Sequence, residues 1–296
     1  AGRQPLELPA GYSMESWESP KDLYDRGQLF EPTGIGVAKD GTIVVATRTA
    51  GVWRIRDNKW TLFAEGTYEC LGVWIEDDKG ESVVVMQKPE LTRMTDTNGN
   101  GRADRFETVC DDYGFHGNYH EYAHGPVRDA KGNYYFTLNL SHGGSPRVSW
   151  RAGGPYMGSM GGYRGWACRV TVDGKFEPYA NGLRSPAGLG IDPQGRLWYA
   201  ENQGEYVGSS KVVPLEQGKF YGHLSGLVSL PGNMTPDSPE LKFDNWKDRI
   251  RKGAVWLPHG KLANSPGHPV WDITAGKFGA YRDQMFIGDQ TLSTLL

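Results

Sequence analysis

The chain has 296 residues and a formal net charge of −3, from 32 basic and 35 acidic side chains, so no basic stripe is available to hold nucleic acid. It contains no apolar run of about 18 residues, the length a membrane-spanning helix needs. The length can bury a large core, and 41 Gly with 10 Trp suit short strands, tight turns and aromatic packing between sheets.

Residues 1–31 come first. They are polar, carry Pro5, Pro9 and Pro20, and read as an arm that closes onto another part of the fold. The first residue is Ala1 rather than Met, as in a chain whose signal peptide has been removed or one that begins late. Four copies of one pattern follow, at residues 34–47, 72–86, 125–138 and 188–201: a small apolar strand, a polar turn ending in Gly, and a second strand. The turns carry Gly41, Gly80, Gly132 and Gly195, and β-branched or aromatic residues follow them. No helical period separates the copies. A hairpin recurring in this way predicts an all-β chain, a β-propeller.

Blade-like units are read at 32–66, 69–108, 122–180 and 182–222, which places four blades within 32–222. The interval between turn glycines widens along the chain, so loops lengthen at one end, where propellers carry their sites. Residues 223–252 form a polar insertion holding Pro231, Pro236 and Pro239. A fifth blade is read over 253–296 and stops part-way. An open ring leaves unpaired strand edges, so at least one more blade is expected to close a single 1–296 domain. Cys70, Cys110 and Cys168 have no metal-ligand spacing and allow either free buried thiols or one disulfide with a thiol left over.

The strongest local motif runs from Asp96 to Glu107. It has oxygen-bearing side chains at Asp96, Asn98, Asn100 and Asp104, Gly101 at the sharp turn, the Arg102 carbonyl in the seventh place and Glu107 in the twelfth. That is the spacing of a calcium-binding loop, with hard oxygen donors wrapped around a glycine turn. A plain Asn/Gly turn with no ion is the alternative. The flanks read as strands, so any ion here is structural rather than catalytic.

Two segments concentrate polar chemistry at blade ends. The first runs from His116 to His124 and includes Asn118, His120, Glu121 and Tyr122. A His beside a carboxylate can act as general base; for His120 this role stands beside those of a structural histidine and a metal ligand. A metal would need His116, His120 and His124 on one helix, which Gly117 disfavours. The second segment is Arg184-Ser185, followed one hairpin later by Glu201, Asn202, Gln203 and Glu205, with His223 further on. Arg184 can clamp an anion, and the Glu/Asn/Gln group offers acceptors for sugar hydroxyls or a cation. Arg48 and Glu69 hold corresponding strand-end positions in earlier blades. Arg48, Glu69, His120, Arg184 and Glu201 are therefore expected to face one central cavity.

The runs around His120, Arg184-Ser185, Glu201 and Gly218–Gly222 resemble the soluble quinoprotein glucose dehydrogenases. Those at Thr47–Ile55, Leu91–Asp104 and Gly117–Ala123 are closer to bacterial propellers known as membrane-bound dehydrogenases, within the same superfamily. The similarity spans roughly 5–296 and is most specific over 91–223. It implies a six-bladed propeller, of which this chain covers about five blades, in a periplasmic or secreted protein. It further implies pyrroloquinoline quinone (PQQ) and Ca²⁺ at the channel mouth, a carbohydrate substrate and a cytochrome c electron acceptor. His120 matches the base that takes the hydroxyl proton, and Arg184 the residue that grips the cofactor; Ser185 stands where that family carries Asn.

Three functions are expected to compete. One is a PQQ-dependent sugar dehydrogenase with His120, Arg184 and Glu201 as catalytic groups. In the second, a polysaccharide lyase or hydrolase acts on uronic-acid-containing glycans in the same cavity, with Arg48 and Arg184 neutralising the sugar carboxylate and His120 or Tyr122 moving the proton. The third is a non-catalytic glycan-binding propeller.

Overall fold

The repeated turns are made by side chains as much as by backbone. Asp129 Oδ1 accepts the Lys131 and Asn133 N–H groups at 2.9 Å each, and Asp192 Oδ1 accepts those of Gln194 and Arg196 at 3.0 and 2.8 Å. Each turn is thereby closed by its own aspartate. The computed structural model describes residues 8–143, 157–229 and 238–296. Pro5 of the arm, and Pro231 and Pro236 of the insertion, lie outside the described residues.

The first sheet runs in order through β1 (Pro32–Val37), β2 (Ile43–Thr47), β3 (Val52–Arg56) and β4 (Lys59–Ala64), and the second through β5 (Val73–Ile75), β6 (Ser82–Met86), β7 (Leu91–Thr95) and β8 (Arg105–Cys110). The third takes β9 (Ala123–Arg128) and β10 (Tyr134–Leu138), makes a two-stranded excursion of β11 (Ser141–His142) and β12 (Met157–Gly158), and returns as β13 (Trp166–Val170) and β14 (Phe176–Asn181). The fourth holds β15 (Pro186–Ile191), β16 (Leu197–Glu201), β17 (Ser210–Pro214) and β18 (Val255–Leu257); the fifth has three strands, β19 (Pro266–Trp271), β20 (Met285–Asp289) and β21 (Thr294–Leu295). All pairings within these sheets are antiparallel, and the first strands of successive sheets, β1, β5, β9, β15 and β19, lie against one another. This is a propeller arrangement of five blades. The sixth blade expected from the sequence is not among the described residues.

Alternating residues of one strand pack into different interblade layers. Val83 and Val85 pack against Val44, Ala46 and Phe63 of the first blade, whereas Val84 and Met86 pack against Tyr134, Phe136 and Leu138 of the third. Both faces of β6 are buried, which is why it reads as an unbroken apolar run. Tyr135 turns the other way, to meet Leu189, Leu197 and Tyr199 of the fourth blade. The three cysteines are free and sit in these layers, where burial pushes the Cys70 thiol up to about 12 and that of Cys110 to about 11.

One blade boundary differs from the sequence reading. Residues 253–257 do not open the fifth blade: Trp256 pairs with Lys211, making β18 the outer strand of the fourth, and the fifth begins at Pro266. The intervening segment leaves β17, bridges Asn181 and Ile250 through Phe220, and donates the Tyr221 and His223 N–H groups to Asn181 O and Gly182 O at 2.9 and 2.8 Å. It runs along the edge of the third blade before returning to complete the fourth, so chain proximity misleads about sheet membership. The described part of the arm touches two blades. Tyr12 donates to Phe278 O at 2.6 Å in the fifth blade, while Leu23 of helix α1 (Lys21–Asp25) is buried against Ala50 and Trp53 of the first.

Inner strands approach too closely for a side chain. A Cβ on Gly72 would lie 1.9 Å from Gly125 O, and one on Gly34 would lie 2.5 Å from Gly72 Cα. Gly72→Ala is therefore expected to lower the unfolding free energy by about 3 kcal/mol or more. Gly41→Ala, which meets nothing within 4 Å, carries only the strain of its positive φ, about 1 kcal/mol. Urea denaturation of the two variants measures the difference.

Candidate functional site

Antiparallel pairing fixes which loops share an end of the propeller. The connections β2–β3, β6–β7, β10–β13 and β16–β17 lie at one end, with the segments that join one blade to the next. Arg48, Glu69, Asn118, His120, Tyr122, Arg184, Asn202, Gln203 and Glu205 are all on those connections. The Asp96–Asp104 loop joins β7 to β8 at the opposite end, beside the β5–β6 turn, where Asp96 N–H donates to Glu81 O at 2.8 Å.

His120 and Arg184 meet through one residue. His120 Nδ1 is 3.1 Å from Leu140 O, and Leu140 N–H donates to Arg184 O at 2.9 Å. A carbonyl only accepts, so Nδ1 carries the proton and Nε2 keeps its lone pair. Burial, with Arg184 and His142 nearby, holds the His120 pKa below the ordinary histidine value. Asn118 is engaged within the loop: its Oδ1 accepts the His120 and His142 N–H groups at 3.0 and 3.1 Å, and its Nδ2 donates to His142 O at 3.0 Å. It positions the two histidine backbones.

Beneath this loop, Glu121 is fully buried and accepts from His116 N–H at 2.8 Å and Ser141 Oγ at 2.6 Å. Arg164, also fully buried, donates to Gly114 O at 2.8 Å and Glu121 O at 3.3 Å, tying the 111–122 segment to the fold. Further toward the axis, burial depresses the pKa of His124 to about 3, so its ring is neutral. The Ser185 hydroxyl is met by Asn139, whose Nδ2 donates to Ser185 Oγ at 3.0 Å.

Arg184 Nε lies 3.8 Å from Glu205 Oε2, which is 2.8 Å from His223 Nε2. Burial raises the Glu205 pKa, but the His223 hydrogen bond, its charge and Arg184 outweigh this and hold it at about 2. Arg184 Nε, Asn202 Oδ1, Gln203 Oε1 and His223 Nδ1 are buried without a hydrogen-bond partner, a group of unsatisfied polar atoms around Gly204. Glu201 does not join them. It is 3 % exposed, and its carboxylate is taken up by the Arg184 N–H, by Lys211 Nζ at 3.1 Å and by Tyr199 OH at 3.3 Å. Glu201 is thus a structural anchor, because a strand-end carboxylate turned into the blade needs those partners to be buried at all.

Arg48 and Glu69 form a separate group with Lys88. Arg48 donates twice to Glu69 Oε1, at 2.7 and 3.0 Å, and Lys88 pairs with the other carboxylate oxygen. Lys88 also donates to Tyr119 O at 2.7 Å and sits 4.5 Å from the centre of the Tyr122 ring. Ring contacts of 5.7 Å from Tyr119 to Tyr122 and 5.5 Å from Tyr122 to His120 join the two groups. The expected single cavity is in fact two neighbouring clusters at one end. Lys88, His142 and Arg164 were not legible as members; Lys88 follows β6 much as Arg48 follows β2, and that was the available signal.

The Asp96–Asp104 loop closes largely on itself. Asp96 accepts the Gly99, Asn100 and Gly101 N–H groups at 2.8, 3.2 and 2.8 Å, and Asp104 accepts from Thr97 N–H and Asn98 Nδ2 at 2.8 and 2.6 Å. Asn100 Oδ1 accepts the Arg102 N–H at 2.9 Å. Glu107 departs from its expected place: it lies in β8 with its carboxylate 3.1 Å from Arg105 Nε and does not close the loop. Arg54, buried beneath, donates to Gly101 O at 2.7 Å and lies 3.8 Å from Asp96. Among the described residues, no three His, Cys, Asp or Glu side chains gather as a metal cage. The oxygen-rich set suits a hard cation, but its carboxylates are engaged with amides and a guanidinium.

The family described as "Domain of unknown function (DUF7133)" matches residues 56–223. No curated protein matches the sequence. Among solved structures, the PQQ-bound aldose sugar dehydrogenase of Streptomyces coelicolor is 16% identical, with a TM-score of 0.63 and coverage of 90% of this chain and 76% of that one. The soluble aldose sugar dehydrogenase of Escherichia coli is 14% identical, with a TM-score of 0.63 and coverage of 88% and 80%. A calcium structure of the carbohydrate-active enzyme family AA12 from Trichoderma reesei is 13% identical, with a TM-score of 0.63 and coverage of 90% and 76%. At such identities the likeness establishes the propeller fold.

Two outcomes test these assignments. Glu205 is depressed in the folded chain, so its stabilisation is present above about 4.5 and is lost as pH falls toward 2. Glu205→Gln is expected to lose less stability than wild type over that window in urea melts at stepped pH. Asp96→Ala removes three amide acceptances and is expected to cost about 2–4 kcal/mol with or without chelator. A cost that vanishes in chelator assigns the loop to a bound ion instead.

Proposed function

We propose that this chain, which belongs to the family described as Domain of unknown function (DUF7133), is a sugar oxidoreductase working at the His120–Arg184 end of the propeller. The observation that carries this reading is the His120 ring: neutral, fixed in one tautomer by Leu140 O, and presenting Nε2 as a base beside a guanidinium. The likeness to PQQ-dependent sugar dehydrogenases supports it.

The residues fit a quinone of that kind. Arg184 Nε is buried without a hydrogen-bond partner, and the unpartnered oxygens of Asn202 and Gln203 suit a hard cation such as Ca²⁺ beside it. The quinone, when bound, supplies the two-electron acceptor. His120 Nε2 takes the proton of the sugar hydroxyl, Arg184 holds negative charge, and Asn118 keeps the His120 backbone in place. An exported location, a six-bladed ring and a cytochrome c as final acceptor belong to the same reading. The lyase alternative loses the phenolic base expected at Tyr122, whose pKa burial pushes up; hydrogen bonds from Tyr122 and Arg48 lower that of Tyr119 beside it.

The test is dye reduction on a panel of aldoses with added PQQ and Ca²⁺. Turnover is expected, and His120→Ala is expected to lower it by about 10²–10⁴-fold. kcat/KM should rise with pH through a limb below 6.5, because the proton must leave His120 first. Arg184→Gln removes a positive neighbour and should move the His120 titration upward, which NMR of the ring protons reads without turnover. Turnover indifferent to His120→Ala sinks the reading, and an unsaturated uronate product absorbing in the ultraviolet without quinone would replace it with the lyase.

A further inference from the structure

The Arg48 cluster has more order than a surface ion pair needs. Glu69 is held at φ +47, in the left-handed region that a non-glycine residue rarely occupies, and strain of this kind gathers at functional sites. In that conformation its carboxylate receives two cations, Arg48 on one oxygen and Lys88 on the other. The Lys88 side chain is 2 % exposed and turned to Glu69, Tyr119 O and the Tyr122 face, so it neutralises Glu69 without reaching solvent. Arg48 is left part-exposed, with its Nη1 only 4.0 Å from the exposed Glu31. Beside it the Tyr119 ring, 66% exposed, lies 5.8 Å from the guanidinium carbon.

A guanidinium with spare donors next to an open aromatic face matches two features of one ligand class: a carboxylate, and a ring whose C–H face stacks on an aromatic. We propose that Arg48 and Tyr119 form a subsite for the carboxylate and ring of an acidic sugar, so that the substrates of this end are uronic-type rather than neutral. The inference rests on reading this end as a sugar site, and Tyr122 connects the subsite to His120 by ring contacts.

Calorimetry on the full chain with D-glucuronate and D-glucose tests it. Wild type should bind glucuronate about tenfold or more tighter than glucose. Arg48→Gln should bring the ratio to about one. Because that change also disturbs Glu69 and Lys88, a second variant is used: Glu31→Gln removes a competing carboxylate and should tighten glucuronate roughly two- to fivefold, a gain that misfolding cannot produce. A wild-type ratio near one, a ratio unchanged in Arg48→Gln, or weaker glucuronate binding in Glu31→Gln overturns the proposal. Turnover of neutral aldoses without glucuronate preference defeats this inference alone. Glucuronate preference without dye reduction upholds it and defeats the oxidoreductase reading.

Discussion

The contact between neighbouring inner strands sets everything else in this molecule. Where Gly34 meets Gly72, and Gly72 meets Gly125, backbone touches backbone, and the blades fan outward from that line. Wider outer strands then need filling, and the interblade layers supply it with alternating residues of single strands. Loops at one end are thereby brought within reach of one another although they are far apart in sequence. His120 and Arg184 come from consecutive blades and share Leu140 as a common backbone partner.

Electrostatics at that end follows from partial burial. Among the described residues at that end, Arg48 and Lys88 share Glu69, Arg184 lies beside Glu205, which is also held by His223, and Lys211 has Glu201. A half-dry rim holds charge only in this way. The pairs differ in completeness. Glu201 is fully engaged and serves the fold, while Arg184 and its neighbours retain buried polar atoms with nothing to bond. That asymmetry separates a scaffold carboxylate from a receptive surface within a single blade.

The architecture was readable in the sequence because each hairpin turn carries its own aspartate and glycine, a local signal independent of tertiary context. The outer strand of the fourth blade was not, since a long excursion separates β17 from β18 and pairing partners leave no mark on spacing. At the site, His120 and Arg184 were legible as polar residues at blade ends. Glu201 looked equivalent, yet whether a strand-end carboxylate faces the axis or the blade interior depends on Lys211 and Tyr199, which no pattern links to it. Lys88 was missed for the opposite reason: an isolated lysine ordinarily belongs to solvent, and here the Glu69 carboxylate, the Tyr119 carbonyl and the Tyr122 ring draw it inward. The oxygen-rich turn at Asp96–Asp104 was legible, but side-chain direction was not, and Glu107 lies in β8 against Arg105.

The segment that carries His223 starts from β17 at the far end of the propeller and climbs the flank of the third blade in fixed backbone register with Asn181 and Gly182. It acts as a strut of set length. Removing or adding one residue between Leu215 and Gly222 would slide the imidazole past Glu205. Insertions and deletions during the divergence of such propellers should therefore spare the climb.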